Sequence, residues 1–535
     1  AGIPIRGVTG YLFFLSCIET GFIFSLESTS TVNKIKTGFL AMMIALFLWH
    51  GLGASVVFAA RGSLTTSEER DLGEKFITYV KKRFDLVEDP SIVNYVNGVG
   101  QRILDHCASP PFDFQFYVVQ EDVYNAFAGP GGHIFIYSGL LVAMESEDEL
   151  AGILAHEIGH VVGRHISEQI EQSKKIGLAT LAGVVAGVFL GGSATATSAI
   201  TTGSIAAGQS LSLKYSREHE VEADQLGIRY LTDAGYDGEA LIKVLEKIRQ
   251  KQWFGSKEVP SYLSTHPAVE ARLMYLDTWI QVHKESTPEN AKAGLSEFQK
   301  TRTKLIALCV DSPTAHHMFD AVLRKDPNNA LGYYGKGLVL YEEGKKDAAM
   351  EALKQALALR PLDSDILRSL GEVYFAMGDY TKAINTLKNA LAFDFEDVQG
   401  RFLLGRAYME TEKLEAARRT LAEVIQDAPD YLQARYHLGE TFGRLGDLPE
   451  AHYHLGLYYK EKGPRETAVF HLRRAMKLFS ENEARQEEIR RLLKGLSEGE
   501  NKKVQRQLRS ISGQGASRRT PVIKNSQGRF PAISP

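Results

Sequence analysis

The stretch Leu154–Gln169, "LAHEIGHVVGRHISEQ", sets three histidines and a glutamate within ten positions. His156 and His160 are i and i+4. On a helix they share one face about one turn apart, so two imidazoles can grip one Zn²⁺. Glu157, beside the first of them, is placed to take a proton from an attacking water. His165 is nine residues past His156, about 900° of helical rotation, which is half a turn off. The long H-E-x-x-H-x-x-G-x-x-H pattern escapes that by breaking at its glycine. Gly163 is present, but the pattern then needs histidine at 166, which is Ile166. His165 is therefore read as a solvated or structural histidine on the opposite face, not a ligand.

Such a pair needs a helix and a third donor. "SEDELAGILAHEIGHVV" has Ser146 with Glu149 three residues on, a capping-box pattern that starts a helix before the apolar run. About sixty residues downstream, "YSREHEVEADQLGIRYL" (Tyr215–Leu231) reads as a second helix dense in acids. Glu220 and Asp224 share a face. One can complete a His-His-Glu site, leaving the fourth position for water, and the other can orient an imidazole through its free N–H. Periodicity does not say which does which, with Glu218, His219 and Glu222 nearby.

"HEIGH" followed by "SREHEVEAD" resembles the M48 family of zinc metallopeptidases. On its S-R-x-x-E-x-x-A-D pattern Glu220 matches the metal-ligand glutamate and Asp224 the aspartate that orients a ligand. "NAFAGPGGHIFIYSGLL" (Asn125–Leu141) resembles the segment before the metal helix, and "STHPAVEARL" (Ser264–Leu273) the H-P-x-x-x-x-R element, matching His266 and Arg272. The resemblance implies a zincin-like domain holding one Zn²⁺ per chain on His156, His160 and Glu220. It implies Glu157 as general base, and His266 and Arg272 as donors to the oxyanion. In long periplasmic members the equivalent histidine can instead fill the open zinc position. "HIFIYS" follows a Gly-Pro-Gly-Gly turn and is rich in β-formers. Family order favours an edge strand over an ordinary core strand, with Gly132, His133, Ile134 and Phe135 then binding substrate backbone by strand addition.

Net charge is −3 with 44% apolar residues, ordinary for a globular protein and no sign of nucleic acid. Three cysteines exclude a disulfide-dense scaffold and are too scattered for a cysteine metal site. Lys34 and Lys36 precede an apolar stretch ending Val57-Phe58-Ala59 before Ala60, the design of a secretory signal peptide, with an uncleaved anchor as its rival. Val32 stands where a conventional signal would start. Export implies an oxidising periplasm, in which Cys107 and Cys309 either pair across two domains or stay as free thiols. Residues 174–213, rich in Ala, Gly, Thr and Ser, read as a helical flap beside the cleft that touches membrane or an unfolded client, or else as a buried hairpin.

The text then turns periodic. Gly337, Gly371, Gly405 and Gly439 are 34 apart, and Ala349, Ala383, Ala417 and Ala451 keep that step. This is the tetratricopeptide period, antiparallel helix pairs with small residues where helices touch. The next unit starts at Gly456, only 17 past Gly439, so one helix serves two units. The tail is basic, rich in Gly, Ser, Gln and Pro, and read as disordered.

The expected architecture is α+β, mostly α. A signal peptide and upstream segment (1–59) precede a peptidase domain with a small sheet (60–285) and a helical connector (286–327). An α-solenoid of repeats (328–480) and a basic tail (498–535) follow. The resemblance of this whole to repeat-bearing periplasmic M48 peptidases implies misassembled outer-membrane proteins as substrates and the barrel-assembly machinery as partner. The rival is a chaperone or scaffold whose protease site is mostly latent.

Overall fold

A computed structural model describes residues 64–172, 215–254, 261–282 and 291–497. The signal peptide, the 174–213 flap and the basic tail lie outside the described residues. Among the described residues no helix is long and apolar enough to cross a membrane.

The first two helices are α1 (Thr66–Arg83) and α2 (Pro90–Leu104). Thr65 opens α1 with a full capping box, its hydroxyl accepting from the Glu68 N–H while the Glu68 carboxylate takes the Thr65 N–H. Then come strands β1 (Gln115–Val119), β2 (Ala126–Ala128) and β3 (His133–Tyr137), with a tight turn at Pro130–Gly132. Gly131 and Gly132 have φ of 78° and 86°, the left-handed region that favours glycine.

The sheet order is β1-β3-β2, with β3 parallel to β1 and antiparallel to β2. This corrects one expectation. The strand carrying His133, Ile134 and Phe135 is central, not an edge, and Gly132 stands in the turn before it. All five β3 residues are buried because both faces of the sheet are covered. Ile134 and Ile136 point into a core shared with α2 and later helices, while Phe135 and Tyr137 point into a second core with Leu72, Phe76 and Val80 of α1. A strand buried on both faces reads as an unbroken apolar run, and nothing in that run says it is also paired on both sides.

Next come α3 (Ser138–Ala143), α4 (Glu147–Val162) and α5 (His165–Gln172). After the undescribed stretch follow α6 (Arg217–Asp233), α7 (Glu239–Phe254), α8 (Ser261–Thr265) and α9 (Val269–Val282). Only half the expected capping box forms at α4. Ser146 accepts from the Glu149 N–H, but the Glu149 carboxylate takes the Glu145 N–H and pairs with Lys247.

Then follow α10 (Ala291–Cys309), α11 (Ser312–Lys325), α12 (Ala330–Glu342), α13 (Lys346–Leu359), α14 (Ser364–Ala376), α15 (Tyr380–Phe393), α16 (Val398–Glu410), α17 (Leu414–Asp427), α18 (Leu432–Leu445), α19 (Leu448–Lys462) and α20 (Arg465–Leu478), with a further helical stretch over 483–497. From α12 onward they pair at the expected period. A Cβ on Gly337, Gly371, Gly405 or Gly439 would meet a leucine of the partner helix at 2.7–2.9 Å. In α19, Leu455 packs on Gly439 while Gly456 packs on Leu472 of α20, so this helix does serve two units.

The helix α10 joins the two halves. Phe298 and Leu305 belong to the peptidase-side core, while Ile306 and Ala307 pack with Phe319 and Val339 on the repeat side. Beside them Lys304 donates to Ser91 Oγ at 2.5 Å and Asp365 at 2.9 Å, and Arg368 donates to Asp365 at 2.9 Å and Asp397 at 3.3 Å. Cys107 and Cys309 are free, Cys107 against Tyr230 and Cys309 against Ser138, so the cross-domain disulfide does not form here. Removing one member of a buried charge network leaves the others uncompensated. Arg368→Ala should therefore lower unfolding free energy by about 3–5 kcal/mol, read from urea denaturation.

Candidate metal centre

The helices α4 and α6 cross where both are stripped of side chain. A Cβ on Gly159 would lie 2.5 Å from the Ala223 carbonyl oxygen, and one on Gly227 2.9 Å from that of Ala155. This close approach sets His156 and His160 opposite Glu220 and Asp224. His156 Nε2 and His160 Nε2 are 3.1 Å apart, and they lie 3.7 and 3.5 Å from the two oxygens of Glu220. His266, just past α8, enters the same space: its Nδ1 is 3.1 Å from Glu220 Oε1 and 3.5 Å from His156 Nε2. One ligating atom from each of His156, His160, Glu220 and His266 falls within 4.8 Å of the others, and all four residues are buried.

Behind the cluster stands a carboxylate clamp. His156 Nδ1 is 2.7 Å from Asp224 Oδ1. The same carboxylate accepts Arg272 Nε and Nη2, both at 2.7 Å, and the Tyr275 hydroxyl at 2.5 Å. Arg272 Nη1 lies 2.7 Å from Glu220 Oε2. The guanidinium expected to face an oxyanion is thus spent on two carboxylates, because α9 lays it behind the ligands. Sequence could pair Arg272 with the site but not show which side it approaches from.

Burial pushes His156, His160 and His266 below the ordinary imidazole value, with Arg272 acting in the same direction, which favours the neutral rings that metal ligation requires. Burial also lifts Glu220 to about 7 and pushes Glu157 well above the carboxylate range, helped by the nearby Glu220. Against the cost of burial, Arg272 and His156 keep Asp224 ionised.

These donors fit a metal ion. Both Glu157 oxygens and His266 Nε2 are buried and meet no side-chain hydrogen-bond partner among the described residues. Orphaned buried carboxylate oxygens carry a large desolvation cost that a cation offsets.

Glu157 and His266 also meet the sheet. Tyr137 N donates to Asn125 O and Gly129 N to His133 O. Antiparallel alternation then turns the N–H and C=O of Ala126 and Ala128 away from β3, toward the site. The Ala128 N–H favours a charged Glu157, and the Ala126 carbonyl favours a proton on His266. The sheet edge beside the cluster is therefore β2, itself buried, with its outward groups facing Glu157 and His266.

His165 is not where the rotation count put it. It is buried, and its Nδ1 lies 2.8 Å from His160 Nδ1. The count assumed one continuous helix, but α4 ends at Val162 and Arg164 turns through φ 59°, which brings His165 back. Sequence reasoning also missed two tyrosines. Tyr215 stacks on His160 at 3.8 Å and Tyr262 on His266 at 4.2 Å. Each had a faint signal: Tyr215 opens the acidic-helix segment, and Tyr262 is one helical turn before His266.

A buried two-histidine, one-glutamate cluster with a glutamate beside it, on crossed helices, defines a metallopeptidase of the H-E-x-x-H kind. Residues 91–280 match the model of peptidase family M48, and residues 311–364, 340–399 and 374–440 match tetratricopeptide repeats. The chain is 27% identical over 365 residues to the β-barrel assembly-enhancing protease of Yersinia pestis, covering 68% of this chain and 74% of that one. It is 27% identical over 340 residues to the protein of that name in Escherichia coli strain K12, covering 62% and 68%. It is 35% identical over 159 residues to the mitochondrial metalloendopeptidase OMA1 of Arabidopsis thaliana, covering 30% of each. The chain is a metalloprotease with an M48 peptidase domain and C-terminal tetratricopeptide repeats.

The helix crossing gives a test. Gly159→Ala forces α4 and α6 apart and should cost about 1–3 kcal/mol of stability. Its metal content after dialysis, measured by atomic absorption, should fall below that of the wild type.

Proposed function

We propose that this chain is a periplasmic zinc endopeptidase that cleaves misfolded or misassembled outer-membrane proteins, its repeats engaging clients or the barrel-assembly machinery. The observation that carries the reading is the convergence of His156, His160 and Glu220 beside the buried Glu157. The envelope role is supported by the likeness to β-barrel assembly-enhancing proteases over more than two thirds of their length. In this reading the peptidase domain spans 60–285, the connector 286–327, the repeat array 328–480 and the tail 498–535, with the signal peptide within 1–59.

His156, His160 and Glu220 would hold one zinc ion. Zinc bound there supplies Lewis-acid polarisation of the scissile carbonyl and acidifies a water. Glu157 takes that water's proton on a carboxylate oxygen and hands it to the leaving amine. Asp224 accepts from His156 Nδ1 and so leaves Nε2 bare for the metal. Arg272 is a positioning residue that holds Asp224 and Glu220 in register. Substrate backbone would add to the outward groups of Ala126 and Ala128 on β2, in place of the Gly132–Phe135 segment, once those groups are released from Glu157 and His266.

His266 completes a four-donor set, and a closed set is the form of a structural rather than a catalytic zinc site. Its place in the cluster supports a resting state in which it fills the position that water needs. The same observation favours the second reading, a client-binding scaffold whose protease is latent until His266 leaves.

Glu157→Gln should keep zinc and lose about 10²–10⁴-fold in peptide hydrolysis. Turnover within tenfold of the wild type would assign the base elsewhere. His266→Ala should raise basal cleavage of an unstructured peptide at equal zinc content, and a lower rate would make it an oxyanion donor. Mass-spectrometric mapping of digests of denatured and folded outer-membrane proteins tests the substrate class. Cleavage confined to unfolded forms is expected, and no cleavage of either would refute it.

A further inference from the structure

We propose that His165 is a positioning residue for His160, fixing its tautomer and ring plane through an imidazole–imidazole hydrogen bond. The inference rests on the metallopeptidase reading above and concerns the chain's own residues.

His160 turns Nε2 into the cluster, 3.1 Å from His156 Nε2 and 3.5 Å from Glu220 Oε1. A ligating nitrogen must be bare, so the proton of the neutral ring sits on Nδ1. That nitrogen is 2.8 Å from His165 Nδ1, so His160 donates and His165 accepts. The proton of His165 then sits on Nε2, 3.6 Å from Glu222 Oε2. The two ligating imidazoles thus have unlike supports. His156 leans on the Asp224 carboxylate and His160 on a neutral ring.

The surroundings hold His165 to this task. Its ring stacks on His219 at 4.4 Å and 14°, and His219 Nε2 is 3.0 Å from Glu168. Tyr215 covers His160. The backbone is strained to bring the ring back: Arg164, not a glycine, sits at φ 59°. Its guanidinium secures the turn on the Leu64 carbonyl at 2.9 Å, Glu69 at 2.8 Å and Ser167 at 3.2 Å. A Cβ on Gly163 would lie 2.5 Å from His165 Nε2, so the residue before the turn has to be bare. A bystander histidine would need neither the strained turn nor its anchors.

The test uses the full chain with zinc affinity read by competition with a chromophoric chelator, and the visible bands of the Co²⁺-substituted protein. His165→Phe keeps a ring on His219 but has no acceptor. His165→Ala removes both, and His165→Gln offers an acceptor oxygen. Phe and Ala should weaken zinc binding by about 10–100-fold and shift the Co²⁺ bands. Gln should restore most of the affinity and the wild-type bands. If Phe fails to fold, Gln against Ala carries the same comparison. Wild-type affinity and bands in Phe or Ala would overturn the proposal, and so would a Gln variant as weak as Ala. A wild-type chain that takes up no zinc would instead overturn the metallopeptidase reading on which the proposal stands.

Discussion

Everything at the centre depends on the bare contact between α4 and α6. Helices usually cross at 8–10 Å with side chains between them. Here Gly159 sits against the Ala223 carbonyl and Gly227 against that of Ala155, so the backbones meet directly. Only at that separation do the imidazoles of one helix and the carboxylates of the other stand within a metal ion's reach. Two glycines inside helices each cost about 1 kcal/mol of helix propensity. Burial of both helices in one core with α2, α7 and α9 offsets it.

That contact packs charge into a dry interior. Glu157, Glu220 and Asp224 bring three carboxylates together, with one buried arginine, Arg272, against them among the described residues. Asp224 is satisfied by Arg272, His156 and Tyr275, and so stays ionised. Glu157 and Glu220 are not so satisfied, and their affinity for protons rises accordingly. The fold thus carries a site that is electrostatically incomplete by itself. Such a site stores a preference for a cation in its own packing.

The second organising element is α10, which gives residues to two cores at once and meets the repeats through Lys304, Asp365 and Arg368. A linker would let the array swing free of the peptidase. A shared helix with buried ion pairs makes the repeats an extension of the peptidase core, so whatever the array holds keeps a set geometry to that core.

Much of the site was legible in the residues. Glu220 and Asp224 are picked out from the neighbouring acids by the motif they share with M48 peptidases, whereas His156 and His160, with Glu157 between them, announce themselves by i, i+4 spacing and the 34-residue glycine and alanine step announces the array. Both are local periodicities, which a chain records in its order. What was not legible depended on pairing and approach. β3 has the composition of a strand, but its central place follows from long-range hydrogen bonds to β1 and β2. Arg272 is marked by its motif, yet only the packing of α9 turns it onto Asp224 and Glu220. Only the face of His165 was misplaced, because one left-handed residue, Arg164, resets a rotation count that assumes a continuous helix. Spacing along the chain specifies which side chains share a face. Which faces meet, and from which side a charge arrives, is decided by contacts between residues far apart in sequence, and these exist only once the core has closed.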